Sequence, residues 1–282
     1  MTDRPKCWVS PETGFSKHPV SGGPPSKAGG RQIPRKGSKG IRPNAGLQAI
    51  YRRRLVALVG VMNASVKPEI ARLAADNAMP APVLRRAIRK LAKRWQRNFD
   101  EVSPKLAEWF AKASHERSDA QLRKILRDGG HAAPKFQMTR AMRDAMQTTI
   151  GEQVGLIRSI PQQYLTQVET LVMQSVKAGR DIGQLTKAIE KQYGVTKRRA
   201  AFIATDQNSK ATSAMGRARQ LELNLDEGIW MHSHAGKIPR PTHVANSGKR
   251  FSLRTGWYDP HEKKWIMPGW LPRCRCFWKP VI

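Results

Sequence analysis

The residues best suited to chemistry cluster in the last fifty or so positions: His232, His234, His243, Cys274 and Cys276, with Arg240 and Arg250 nearby. Imidazole and thiolate are common zinc donors, and a C-x-C pair can bring two sulfurs to one ion. His232 and His234 alternate around Ser233, so on a strand both would point the same way and either would complete a tetrahedral set with His243, Cys274 and Cys276. A second chemistry uses the histidine as a general base while Arg240 or Arg250 stabilises a phosphate. The third reading is structural, with small buried cysteines and a histidine that fixes a turn. The spacing matches no standard finger or ribbon, no fourth donor is obvious, and the surrounding charge is positive. The structural role is therefore the expectation, with no metal, no cofactor and no catalytic residue.

These residues need a scaffold, and the texture of the chain supplies one. From about 47 to 219 the apolar period is helical: Leu84, Ile88, Leu91 and Trp95 fall at i, i+4, i+7 and i+11. Gly129, Gly130 and Pro134 interrupt the pattern and predict a loop. A helix is predicted to start at Pro161, bury Leu165, Val168, Leu171 and Val172, and stop at Gly179. A shorter one opens near Asp181, carries Leu185, Ile189 and Tyr193, and ends with Gly194 as its left-handed cap. Thr196 then caps a third, running towards Leu221.

Beyond Leu225, short β-branched and aromatic runs alternate with Gly and Pro, and five of the eight Trp lie there. Trp230, Phe251, Trp265 and Trp270 are expected in the core or on the sheet surface. The fold class is α+β, a mainly helical N-terminal and middle region with a small β-containing C-terminal domain. The expected division is a basic arm at 1–46, a helical scaffold at 47–194 and an α+β domain at 195–282.

Several residues of that last domain form an ordered set: Trp230, then Arg240, Pro241 and His243, then Gly248 and Phe251, then Pro268-Gly269 and Cys274-Arg275-Cys276. This order resembles the C-terminal domain of the phage minor head proteins typified by protein F of phage Mu. The resemblance implies a virion component of a tailed phage, involved in head morphogenesis, with the portal protein, capsid or scaffold components and packaged genomic DNA as partners. It marks the eight residues Trp230, Arg240, Pro241, His243, Gly248, Phe251, Cys274 and Cys276 as motif positions without assigning their role. Two departures matter. Asp206 stands in Ala204-Thr205-Asp206-Gln207 where family members often have an Ala-Arg-Thr-Glu-like stretch, and Ala235-Gly236-Lys237 replaces the acidic residue usual before the Arg-Pro turn.

Charge narrows the partners further. Lys and Arg total 51 against 21 Asp and Glu, a formal charge of +30, for which a nucleic acid is the natural counter-charge. Residues 1–46 hold seven Pro and eight Gly, with nine Lys or Arg against two acids, a composition that predicts a flexible basic arm. Arg31, Arg35 and Lys36 in that arm are candidate DNA contacts. So are Arg85, Arg86, Arg89, Lys90, Lys93 and Arg94, which fill the polar faces of the Leu84 helix. Such binding reads phosphates and not bases.

Three sparse cysteines do not form a disulfide framework and indicate synthesis in a reducing cytoplasm. The Leu55 to Ala64 run is much shorter than the roughly 20 apolar residues of a spanning helix, so no membrane partner is expected. No Walker loop, H-E-x-x-H or nucleophile elbow is present. A metal-assisted nuclease or toxin-like effector is the alternative to a minor head protein.

Overall fold

The computed structural model describes residues 39–76, 78–235 and 238–282. Arg31, Arg35 and Lys36 lie outside them. Four long helices come first: α1 (Ala45–Ala75), α2 (Ala81–Asp128), α3 (Arg140–Lys177) and α4 (Ile182–Glu222). Each buries one stripe at a spacing of three or four, for example Leu47, Tyr51, Leu55, Val59, Met62, Val66 and Ile70 on α1. The stripes meet in one core in which α2 packs on α3, and α4 on both α1 and α3. A polar chain crosses this core: Tyr51 Oη donates to Gln153 Oε1 (2.5 Å), Gln153 Nε2 to Gln207 Oε1 (2.6 Å) and Gln207 Nε2 to Glu152 Oε1 (2.8 Å). Buried amides are tolerated there because each finds a partner.

Three predicted helix boundaries are corrected, among them Thr196, which caps nothing but lies inside α4 and donates its hydroxyl to the Gln192 carbonyl at 3.0 Å. Pro161 does not open a helix; α3 begins at Arg140, where the Thr139 hydroxyl accepts from Met142 N. A proline inside a helix costs about 3 kcal/mol. Here buried residues on both sides of it, Ile157 and Ile160 before and Tyr164, Leu165 and Val168 after, hold the helix through the break. Pro68 and Pro104 sit inside α1 and α2 in the same way. Gly194 likewise ends nothing: it has no positive φ, and α4 runs on past it across the boundary expected at 194–195. Gly179, by contrast, has φ +85° just after α3, as read from the sequence.

The C-terminal part is small and antiparallel, which completes the α+β class. β1 (Glu227–Met231) lies between β2 (Arg250–Ser252) and β5 (Phe277–Pro280), while β3 (Trp257–Asp259) and β4 (Lys264–Ile266) form a separate pair. A short helix, α5 (Pro241–Ala245), connects β1 to β2. Gly228 on β1 faces Phe251 and Pro280, and a Cβ there would come within 2.7 Å of the Trp278 indole, so only glycine fits. Ile41, within the expected arm, is buried and bridges to Trp278, with Ile41 N donating to the Trp278 carbonyl at 2.8 Å. Asn44 then caps α1 through Leu47 N.

This sheet has its own core. Trp230, Phe251, Leu253, Ile266, Met267, Leu271, Cys274, Cys276 and Trp278 pack with Ile41 and with Leu122, Ile125 and Leu126 from the end of α2. On α4, Gln220 Oε1 accepts from Trp278 Nε1 at 3.3 Å, and Arg217 donates to the carbonyls of Leu253 and Arg254. Arg219 is the buried junction. Its Nε and Nη2 grip Asp119 of α2 at 2.9 and 3.0 Å, and its Nη1 reaches Glu222 (2.6 Å) and the Gln137 carbonyl (2.7 Å). Of the four aromatics expected in this core or on the sheet surface, Trp230 and Phe251 are buried, whereas Trp265 and Trp270 are 58% and 39% exposed. Trp265 sits on a two-stranded edge against Tyr258 with no third layer over it.

Candidate functional site

His243, Cys274 and Cys276 come from distant stretches of chain and converge in the C-terminal core. Pro241 occupies the first turn of α5, where its missing N–H costs nothing, and Arg240 is the N-cap residue. Arg240 holds the turn against the loop before β5 by donating to the Pro272 carbonyl at 3.0 Å, with Glu262 at 3.8 Å. One turn into α5, His243 points inward at 2% exposure. Gly248, at φ +85°, closes the return to β2 and donates its N–H to the Trp230 carbonyl at 2.8 Å. Opposite, Cys274 N closes a turn on the Leu271 carbonyl at 2.9 Å, which aims both cysteines at α5.

The resulting geometry is tight. His243 Nδ1 lies 3.5 Å from Cys274 Sγ and 3.6 Å from Cys276 Sγ, and the three atoms all fall within 4.8 Å of one another. Both thiols are free and 4% exposed. On the other side of the ring, Nε2 is 3.2 Å from Oδ2 of Asp259, an ion-pair contact and not an aligned hydrogen bond. Asp259 is completely buried at the end of β3 and also accepts from His261 N (3.0 Å) and the Thr242 hydroxyl (3.4 Å). The Trp230 indole stands edge-on to the imidazole at 5.2 Å, with Trp257 at 6.2 Å from the same ring. Thus all eight motif residues surround or brace one buried point.

The two thiols share a single easy ionisation. A hydrogen bond from Cys276 is the main influence that pulls Cys274 below the usual thiol range; burial opposes it and His243 assists. The same bond, with burial, pushes Cys276 upward. Asp259 was not singled out in the sequence, because nothing in Trp257-Tyr258-Asp259-Pro260 signals a buried carboxylate. It supplies an acid beside the histidine that the missing residue before the Arg-Pro turn had put in doubt. Asp206, the other acid considered, is elsewhere: its Oδ1 accepts from Arg273 N at 2.9 Å and its Oδ2 pairs with Lys210 at 3.3 Å.

His232 and His234 do not alternate on a strand as expected. β1 ends at Met231, and the rings meet edge to face at 4.5 Å, with His234 at φ +53°. The His232 Nδ1 accepts from His234 N at 3.3 Å, and burial, then His234, holds His232 below the ordinary histidine range. Arg250 pairs with Glu227 at 3.1 Å on the exposed edge of the sheet.

Residues 166–278 match the family model described as Phage Mu protein F like protein. That part of the chain is similar to this family. The Mu F-like match begins inside α3, earlier than position 195, and ends on β5. An uncharacterized protein of Haemophilus influenzae is 33% identical over 129 residues, which is 46% of this chain and 28% of that protein. The chain thus matches only about a quarter of that relative's length. No solved structure matches.

Outside the Mu F-like segment, the candidate DNA contacts on α2 divide into two groups. Arg85 and Arg89 both face Glu169 of α3, at 3.6 and 3.1 Å, and Arg94 pairs with Glu69 of α1 at 2.9 Å. Arg86, Lys90 and Lys93 are exposed and have no ion pair among the described residues. A second basic surface was not read from the sequence: a groove of about 920 Å³ between α1 and α4 is lined by Arg52, Arg53, Lys197 and Arg198. These four are more than a hundred positions apart in pairs, so only the packing of the two helices reveals them. Among the described residues no helix is long and apolar enough to cross a membrane.

Proposed function

We propose that this chain is a minor head protein of a tailed phage. It is held at the portal or inner shell through its folded part and touches packaged DNA through sequence-independent contacts. The observation that carries this reading is the Mu F-like match over 166–278. Support for the DNA contacts comes from the formal charge of +30 and from two sets of exposed cations, Arg86, Lys90 and Lys93 on α2 and Arg52, Arg53, Lys197 and Arg198 along the α1–α4 groove. Phosphate neutralisation by such residues releases counterions and needs no base readout.

The nuclease alternative is disfavoured by access. The groups able to do acid–base or nucleophilic work, His243, Asp259, Cys274 and Cys276, are all at most 4% exposed, beneath Trp230 and Trp257. A polyanionic substrate has no route to them without unpacking the domain. We therefore read the chain as non-enzymatic, with the cluster serving the fold.

The test measures anisotropy of two unrelated labelled duplexes with the full chain over a range of salt. Equal affinities are expected, falling steeply as salt rises. Replacing Arg86, Lys90 and Lys93 together with Gln should flatten the log–log slope by about 0.9 for each phosphate that these residues no longer neutralise. A strong preference between duplexes, or an unchanged slope in both this variant and one with Arg52, Arg53, Lys197 and Arg198 replaced, would overturn the proposed contacts. Co-purification of the full chain with a co-expressed phage portal protein tests the location.

A further inference from the structure

The buried cluster has one property that hydrogen bonding does not explain. A single nitrogen, His243 Nδ1, sits almost equidistant from two sulfurs, at 3.5 and 3.6 Å. Nδ1 carries either one proton or one lone pair, so it can make a good hydrogen bond with only one of the two. One atom placed between all three satisfies both distances. For a tetrahedral zinc with a Zn–N bond of about 2.05 Å and Zn–S bonds of about 2.3 Å, the N···S edge is about 3.6 Å. The observed spacings match that edge.

We propose that His243 Nδ1, Cys274 Sγ and Cys276 Sγ are three protein ligands of a structural zinc ion in the C-terminal domain. The surroundings are those a zinc site requires. Asp259 Oδ2, 3.2 Å from Nε2, sets a carboxylate beside that nitrogen, which favours the ring proton there and leaves the Nδ1 lone pair for the metal. Two thiolates balance the dication, which answers the objection raised by the positive charge of the chain. The backbone N–H of Ser233 acts on Cys276 and that of Cys276 on Cys274, so each sulfur has a donor suited to thiolate.

A site buried at this depth beneath Trp230 and Trp257 does not do chemistry on a substrate. It ties α5, the end of β3 and the start of β5 together, three short elements with little secondary structure between them, and its ion binds only the folded chain. Such an ion depends neither on the phage assignment nor on DNA binding.

The experiment uses the full chain produced in zinc-supplemented medium and dialysed. Elemental analysis should give one zinc per chain. Cobalt exchanged into the chelator-stripped protein should show thiolate-to-cobalt charge transfer in the near ultraviolet and the visible bands of a tetrahedral ion. Asp259→Asn should keep the ion but weaken it by about 10- to 100-fold in competition with a chelating dye. Cys276→Ser should lose it. Because that variant can fail to fold, the wild-type protein decides: sub-stoichiometric zinc together with no thiolate–cobalt band overturns the proposal. So does full zinc content retained in a folded Cys274→Ser/Cys276→Ser protein.

Discussion

Removing the Arg219 side chain is the sharpest test of how the two cores are joined. Arg219 is 3% exposed and Asp119 7%, and the guanidinium binds the carboxylate through two nitrogens at 2.9 and 3.0 Å while also holding Glu222, the Gln137 carbonyl and the face of Phe136. Arg219→Met would leave Asp119 as a buried anion whose nearest remaining partner is His115 at 3.8 Å. Breaking a buried pair in this way costs about 3–5 kcal/mol, because the surviving charge keeps its desolvation penalty. At roughly 2–4 °C per kcal/mol for a fold of this size, the melting temperature should fall by about 6–20 °C. The double variant Arg219→Met/Asp119→Leu removes both charges and should recover most of that loss. Urea unfolding of wild type, both single variants and the double variant gives the coupling. A single-variant cost under about 1 kcal/mol, or a double variant no better than the worse single one, would refute the claim that this pair is desolvated and structural.

Two further predictions concern packing and pH. Trp230→Ala should cost about 3–5 kcal/mol since the ring is fully buried, whereas Trp265→Ala, more than half exposed, should stay within about 1 kcal/mol of wild type; thermal unfolding compares them directly. Burial works to lower the Lys210 pKa, but Glu152 at 3.0 Å and Asp206 at 3.3 Å outweigh it and lift the group above its ordinary 10.5. The folded state therefore holds this proton more tightly than the unfolded chain. The resulting stability is fully present below about pH 10.5 and is lost as pH rises through the folded value. Lys210→Met should be less stable than wild type by on the order of 1 kcal/mol at pH 8, with the gap closing in alkali; a gap that widens there would contradict the assignment.

What the sequence made legible follows from what short-range physics determines. The helical stripes of Leu84 to Trp95 and Leu185 to Ile189 are periodic, and periodicity survives into the structure because one face must be buried. Trp230, His243 and the cysteines could be grouped because each sits in its own short motif. Pro161 and Gly194 misled, since local preference for a helix start or stop was overridden by residues on both sides that pack into the same core. Asp259 was silent because its importance lies in meeting His243 across the fold, and an isolated aspartate announces no such partner. The neutralisation of Arg85, Arg89 and Arg94 by Glu169 and Glu69 was invisible for the same reason: the acids arrive on other helices.

The bridge between Ile41 and Trp278 sets the route by which tension enters the molecule. A pull applied at Lys39 reaches the fold at Ile41, on the outer edge of β5, beside the strand that leads out to Ile282. Force applied between the two ends is then resisted by neighbouring extended segments and by the Gln121 amide gripping the Gly40 carbonyl at 3.2 Å. Opening this one bridge would transfer the load to α1, so the bridge acts as a mechanical fuse ahead of that helix, and its rupture force, measured by pulling single molecules between handles at Lys39 and Ile282, should fall when Ile41 is replaced by Pro, which cannot donate to Trp278.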